Sequence, residues 1–282
     1  MNWHSKYLTI FDKPINEVPE DLIQEIRNKV MVKQNDKPIA SVILIAHNEE
    51  KRILSCIWSL SENICNVPIE IIAVNNNSTD QTMKAMELSG VISIEEKKKG
   101  PGHARQCGLN HARGKYHICI DSDTLYPPYY IQTMVDALSK PHVVYAFSLW
   151  SFMNDKNHSA FGLFFYEMFR DFFLIIQSIK RPELCVRGMA FGFNTEIGKE
   201  IGFRTDIKRG EDGSLALALK LYGKSKFILS RKARVLTSNS TLNLDGSFSK
   251  SFTRRIKKAF KNFISILHSK NDYIDEDSNL IK

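Results

Sequence analysis

Cysteine is scarce in this chain, and what there is lies scattered. Cys56, Cys65, Cys107, Cys119 and Cys185 are odd in number and form no C-x-x-C pair. That excludes a disulfide framework and argues against a zinc site. Reduced thiols of a cytosolic protein are the simple expectation. Long apolar runs are also lacking. The nearest, residues 160–179, is interrupted by Glu167, Arg170 and Asp171, so no bilayer span is expected. The first residues hold no apolar core segment and no small-residue cleavage site, so no signal peptide is expected. A cytoplasmic location follows, with peripheral contact at the inner face of the membrane as an option. The N-x-S/T sites at Asn77, Asn157 and Asn239 then carry no glycan. There is no internal repeat and no nucleic-acid-binding motif.

What is present is ordinary globular material. The 282 residues are 43% hydrophobic and 25% charged, enough for one large domain or two small ones. The 39 basic and 31 acidic residues leave a net charge of +8. Such a balance favours anionic partners: nucleic acid, phosphorylated small molecules or an anionic membrane surface. Without a nucleic-acid motif, and with acidic clusters at the presumed ligand edge, no nucleic acid is expected.

The spacing of apolar residues predicts alternating elements. A helix is expected over about residues 20–32, opened by Pro19-Glu20-Asp21. Strands are expected at 39–46, 69–74, 91–94 and 116–120, separated by helices at 49–61, 79–89 and 103–112. This alternation argues for a mostly parallel central sheet flanked by helices, an α/β fold. Such sheets bind ligands outside the carboxyl ends of their strands. Three polar clusters fall there: His47-Asn48-Glu49, Asn75-Asn76-Asn77-Ser78-Thr79-Asp80 and Asp121-Ser122-Asp123. Further on, strands are expected at 143–150, 186–193, 226–229 and 233–237, and helices at 161–179, 195–201, 212–222 and 249–268. From Asn271 the tail is polar, acidic and expected to fray.

Each constellation has two readings. Two carboxylates in Asp121-Ser122-Asp123 suit a hard divalent cation that also holds a diphosphate; a strand-to-turn junction also favours Asp and Ser. Gly210-Glu211-Asp212 offers a carboxylate base for a hydroxyl; acids are also favoured at a helix start by the dipole. The run Lys97-Lys98-Lys99-Gly100-Pro101-Gly102-His103-Ala104-Arg105 cradles phosphates or forms a solvated basic turn. The aromatic stretch 161–173 closes the core on the acceptor side, or presents a greasy groove for a lipid-linked acceptor, or lies at a membrane interface. The basic stretch Arg254-Arg255-Ile256-Lys257-Lys258 suits an anionic membrane or plain solvent.

The segments SVILIAHNEE, IIAVNNNSTDQT, GPGHARQCGLNHARGKYHICIDSDT, RGMAFGFN and GEDGSLALALKLYG, in this order and spacing, resemble glycosyltransferase family 2. The resemblance covers roughly residues 40–238. It implies the GT-A nucleotide-diphospho-sugar transferase fold and inversion at the anomeric carbon. It implies a donor-binding edge of Ala46, His47, Glu49, Asn76, Arg105, Asp121 and Ser122. Asp123, with Asp121, would hold Mn2+ or Mg2+. Asp212 would be the catalytic base, with Glu211 beside it. The donor would be a nucleotide-diphospho-sugar, and the acceptor a saccharide or a lipid-linked one in glycan or polysaccharide synthesis.

Two departures stand out. Asn75-Asn76-Asn77 replaces the family's commoner acidic pair and glycine; an amide still accepts and donates hydrogen bonds. Thr237-Ser238-Asn239 has no histidine where many relatives offer an extra metal ligand. The expected organisation is an N-terminal helical extension (1–38), a catalytic domain (39–240, its nucleotide-binding half 39–124 and acceptor half 125–240), and a basic C-terminal helix with polar tail (241–282). The rival to an enzyme is a donor-binding but catalytically silent relative that acts as an interaction protein.

Overall fold

The computed structural model describes residues 3–154, 160–239 and 279–280. The expected basic helix at 249–268 lies outside them. In chain order the elements are α1 (Glu20–Lys33), β1 (Ala40–Ala46), α2 (Ile53–Ser61), β2 (Ile69–Asn76), α3 (Thr82–Ser89), β3 (Ile92–Glu96) and α4 (Pro101–His111). There follow β4 (Tyr116–Asp121), β5 (Thr124–Leu125), α5 (Tyr130–Leu138), β6 (Val143–Ser148), β7 (Trp150–Phe152) and α6 (Ala160–Lys180). The last are β8 (Phe191–Asn194), α7 (Thr195–Ile201), α8 (Glu211–Leu219), β9 (Lys224–Ile228) and β10 (Val235–Thr237).

Seven strands form one sheet in the order β3-β2-β1-β4-β8-β6-β9. Its first four strands are parallel; β8 runs antiparallel to both β4 and β6. A second small sheet has the order β5-β10-β7. The fold is therefore the mostly parallel α/β arrangement that the alternation predicts. Central strands β1, β2 and β4 are covered on both faces, which is why they read as continuous apolar runs. Glu70, the one acid within β2, is fully buried because Ser41 and Arg113 saturate it: Ser41 Oγ donates at 2.5 Å and Arg113 N and Nε each at 2.8 Å.

The N-terminal stretch is not a loose preface. Tyr7, Ile10, Ile15, Val18, Ile26 and Val30 join the same apolar core as β1 and α2, and Ser55 Oγ donates to Tyr7 O at 2.6 Å. Helix α5 was not expected from the sequence, although Tyr130, Ile131, Met134, Val135 and Leu138 repeat at helical spacing and are buried. The strand expected over 186–193 is shorter: a 3-10 turn at Gly188–Ala190 precedes β8. Among the described residues no helix is long and apolar enough to cross a membrane.

One core residue makes the fold sensitive to acid. His117 on β4 is fully buried and stacks on Phe193 with ring centroids 4.6 Å apart. Among the described residues neither ring nitrogen has a hydrogen-bond partner. Burial, then the nearby Arg105 and Lys199 charges, push its pKa down from 6.5 to about 3. The neutral ring is thus favoured in the native state. As pH falls below 6.5 the unfolded chain takes up a proton that the folded chain refuses, so stability is lost between pH 6.5 and 3. From pH 7 to pH 5 this one site costs about 2 kcal/mol. His117→Phe keeps the stacked ring and removes the titration. Denaturant melts at the two pH values should show an acid loss about 2 kcal/mol smaller in the variant; equal losses would refute the assignment.

Candidate active site

The carboxyl ends of β1, β2 and β4 lie side by side. Ala46 pairs with Asn75, and Ile45 with Asp121. The loops that leave these ends are laced together. His47 Nδ1 lies 2.6 Å from Asn76 O. Asn48, at φ 55°, accepts from Thr79 N at 2.8 Å and donates its own backbone N–H to Ser78 Oγ at 2.9 Å. Glu49 N donates to Thr82 Oγ1 at 2.8 Å. Asn, like Asp, tolerates the left-handed region, which suits this tight exit from the strand.

The three asparagines divide their work. Asn76 Nδ2 donates to Glu96 O at 3.1 Å and Lys98 O at 2.7 Å, and its Oδ1 accepts from Gly100 N at 2.8 Å. Asn77 Nδ2 holds Glu96 O and Lys97 O. Both amides therefore shape the basic loop 97–100 that leads into α4. Asn75 is buried, and its Oδ1 has no hydrogen-bond partner among the described residues.

Arg105 sits on α4 and is 1% exposed. Its Nη1 donates to Ile120 O at 2.9 Å, its Nη2 pairs with Asp121 Oδ1, and its Nε lies 3.4 Å from Asp212 Oδ1. The sequence places Arg105 near a nucleotide's phosphates; the structure commits its guanidinium to two carboxylates beneath the site. Asp212 stands in the first turn of α8, which opens at Gly210 with φ 94°. Its carboxyl is pushed well above the ordinary range, by burial first; the Arg105 charge opposes this, and Glu211 and Asp121 add to it. Glu211, beside it, is buried. A cavity of about 460 Å³ opens against Asp212, lined also by Arg181, Arg187, Lys208, Arg209 and Glu211.

Across the site, Asp123 accepts from Ser238 Oγ, while Ser238 N donates to Asp123 O at 3.1 Å. Ser238 thus stands where the sequence lacks a histidine. Burial and the Asp121 charge raise the Asp123 pKa. Glu49 is raised to about 7, by burial and by Asp123, with Arg52 opposing. Burial first, and then mutual charge, disfavour the ionised form of these carboxylates, a penalty that a bound cation would relieve. Among the described residues no three His, Cys, Asp or Glu side chains cluster as a complete ligand set. An ion would therefore need oxygens from a ligand or water besides Asp123. Ser122, between the two aspartates, is buried.

Three contributors escaped sequence reasoning. Tyr126 accepts a hydrogen bond from Asp121 N at 3.0 Å and donates to Met189 O at 3.1 Å, tying β4 to the turn before β8; nothing in sequence marks it. Asn279, in the tail expected to fray, is instead paired. It accepts from Lys208 N at 2.8 Å and Arg209 N at 3.1 Å, and donates to Arg209 O at 3.0 Å. It thereby pins the loop that leads to Glu211 and Asp212. Gly188 is the third. A Cβ there would collide with Arg105 Nη2 and Asp212 Oδ2. The RGMA segment carries that glycine so that backbone can pass over the ion pair.

Gly188→Ala should cost about 1–3 kcal/mol of stability, because the buried pair has no room to yield. Gly213→Ala is the control: its Cβ would meet only Glu183 O at 3.6 Å. In a helix that change is neutral or favourable by up to about 1 kcal/mol. Denaturant melts of the two variants check the contrast, and equal midpoints would contradict it.

The sequence model of glycosyl transferase family 2 matches residues 41–202. An uncharacterized glycosyltransferase of Rickettsia prowazekii is 29% identical over 136 residues, 46% of this chain and 42% of that protein. The poly(ribitol-phosphate) beta-N-acetylglucosaminyltransferase TarS of Staphylococcus aureus is 32% identical over 90 residues, 29% of this chain and 16% of TarS. The chain spans less than half the length of these curated relatives. Among solved structures, a mannosyltransferase of Pyrobaculum calidifontis in complex with GDP-Man and Mn2+ superposes with a TM-score of 0.58 at 16% identity, over 90% of this chain and 77% of that one. S. aureus TarS 1–349 in complex with UDP-GlcNAc gives 0.55 at 20% identity, over 71% and 58%. At these identities the superpositions speak for the GT-A fold alone. The matched segment is more than half of the chain and contains the strand-end clusters described above: the chain belongs to glycosyltransferase family 2.

Proposed function

We propose that this transferase is inverting, moving a sugar from a nucleoside-diphosphate donor to a hydroxyl acceptor with Asp212 as general base. The observation that carries the reading is the pairing of one buried guanidinium, Arg105, with both Asp121 and Asp212. It holds a donor-edge carboxylate and an acceptor-side carboxylate in fixed relation. The unit proposed to do this is residues 39–240, with loop 207–209 held by Asn279.

Asp212 suits the base role because a carboxyl that binds its proton tightly is a stronger base once ionised. Its Oδ1, 3.4 Å from Arg105 Nε, makes no hydrogen bond among the described residues. The acceptor hydroxyl gives its proton to Asp212 as its oxygen bonds to the anomeric carbon. The bond from that carbon to the diphosphate oxygen breaks on the opposite face, so the configuration inverts. Asp123, beside Asp121 and Glu49, would hold Mn2+ or Mg2+. Such an ion, when bound, supplies the positive charge that stabilises the leaving diphosphate. Asn75 and His47 lie at the strand edge where the nucleoside would rest. Arg187, Lys208 and Arg209 on the cavity wall favour an acceptor that carries negative charge. The sugar nucleotides seen with the structural relatives, UDP-GlcNAc and GDP-Man, define the donor class to screen.

The test separates base from donor site. Asp212→Asn preserves shape but cannot take the proton, so transfer should fall about 10² to 10⁴-fold with donor affinity little changed. Asp123→Ala should instead abolish metal-dependent thermal stabilisation by a nucleoside diphosphate. Glu211→Gln should be milder than Asp212→Asn. Near-normal transfer by Asp212→Asn would move the base to Glu211. Turnover undiminished in chelator would remove the metal.

A further inference from the structure

Helix α6 is built inside out. Its charged side chains face the protein. Glu167 accepts from Phe152 N and Ser151 Oγ, both at 2.7 Å. Arg170 pairs with Asp171 at 2.7 Å and lies 4.4 Å over the Trp150 ring. Arg234 pairs with Asp171 and reaches Glu167 at 3.6 Å. The opposite face carries Phe161, Phe164, Met168, Phe169, Phe172 and Ile179, all exposed; Phe161, Phe172 and Ile179 are 74%, 66% and 78% exposed. At 100° per residue these fall within one stripe along a helix about 31 Å long. Contiguous exposed apolar faces mark interaction sites more often than singly scattered apolar residues do.

We propose that this face of α6 docks in the plane of an anionic lipid surface. Three observations select lipid as the occupant. The stripe bears no acid or base until Lys180, which closes it at the carboxyl end. Lys220 stands beside that end, its Nζ 3.4 Å from Lys180 O and 3.5 Å from the buried Glu183, which Arg181 also pairs; Lys180, Arg181 and Lys220 against this one acid leave the rim net cationic. The sequence adds more of the same sign. Residues 249–268 contain six Lys or Arg and no Asp or Glu, in the stretch that follows Asn239. That residue and Phe164 line the same cavity near the start of α6. An apolar aromatic face flanked by cations is what an interfacial helix presents to anionic headgroups. The helix lies on the surface and does not cross it, because Glu167, Arg170 and Asp171 are tied to Arg234 and the β7 backbone. The cavity against Asp212 opens just past the carboxyl end of α6, at Arg181. An acceptor carried in the same surface would therefore arrive beside the proposed base. The docking itself does not depend on the transferase reading.

The test is vesicle flotation of the full chain with phosphatidylcholine, with and without phosphatidylglycerol. The chain should float with the phosphatidylglycerol vesicles, more weakly with phosphatidylcholine alone, and less as salt rises. Phe169→Ser/Phe172→Ser should weaken binding at least about tenfold, with an unchanged melting temperature and unchanged rate of donor hydrolysis. Loss of donor hydrolysis in wild type would strike the transferase reading and leave this one standing. Failure of wild type to bind anionic vesicles overturns the proposal. So does wild-type binding by the double variant. A dimer in light scattering that the same two substitutions dissociate would assign the face to a second copy instead.

Discussion

A single buried cation organises the catalytic half of this molecule. Taking the Arg105 guanidinium out of water is costly, and only opposite charge and hydrogen bonds in good geometry offset it. Asp121 and Asp212 supply the charge and Ile120 O the hydrogen bond. The three come from the end of one central strand and the start of a helix near residue 211. The burial of Arg105 thus forces α8 to approach β4. Gly188 is the steric counterpart of that force, since backbone without a side chain must pass over the pair. Asn279 secures the same approach from behind.

The opposite edge works by excess of negative charge. Glu49 and Asp123 are each raised by burial and by neighbouring carboxylates, and Arg52 and Ser238 offset only part of this. Two regimes therefore sit within one site: a neutralised carboxylate cluster around Arg105 and an under-neutralised one around Asp123. The second is the kind of place where an added cation gains most. The first keeps Asp212 dry and proton-hungry. In the proposed mechanism the two regimes divide the work, a proton acceptor on one side and charge relief for a leaving diphosphate on the other.

Helix α6 inverts the usual sense of an amphipathic helix, and the cause again is charge pairing. Arg234 pairs with Glu167 and Asp171 from the segment just before β10, which offsets the cost of turning these charges inward. Strand β10 leads to Ser238 and hence to Asp123.

The alternation of strands and helices, the parallel sheet and the three strand-end clusters are legible along the chain. Those follow from period-2 and period-3.6 burial and from turn chemistry, which are local and therefore readable along the chain. The sequence also marked Asp121, Asp123 and Asp212, because acids at strand ends and helix starts stand out against apolar neighbours. Tertiary structure alone decided what each residue does. Arg105 reads as a phosphate ligand until Asp212, 107 positions later, is folded onto it. Asn76 reads as a nucleotide contact until loop 97–100 occupies its amide. Tyr126 and Asn279 carry no sequence signal, and Gly188 is marked only as part of the RGMAFGFN segment, since their roles are contacts between distant elements. Periodicity shows that α6 has two faces; only the partner at Arg234 decides which one is turned inward.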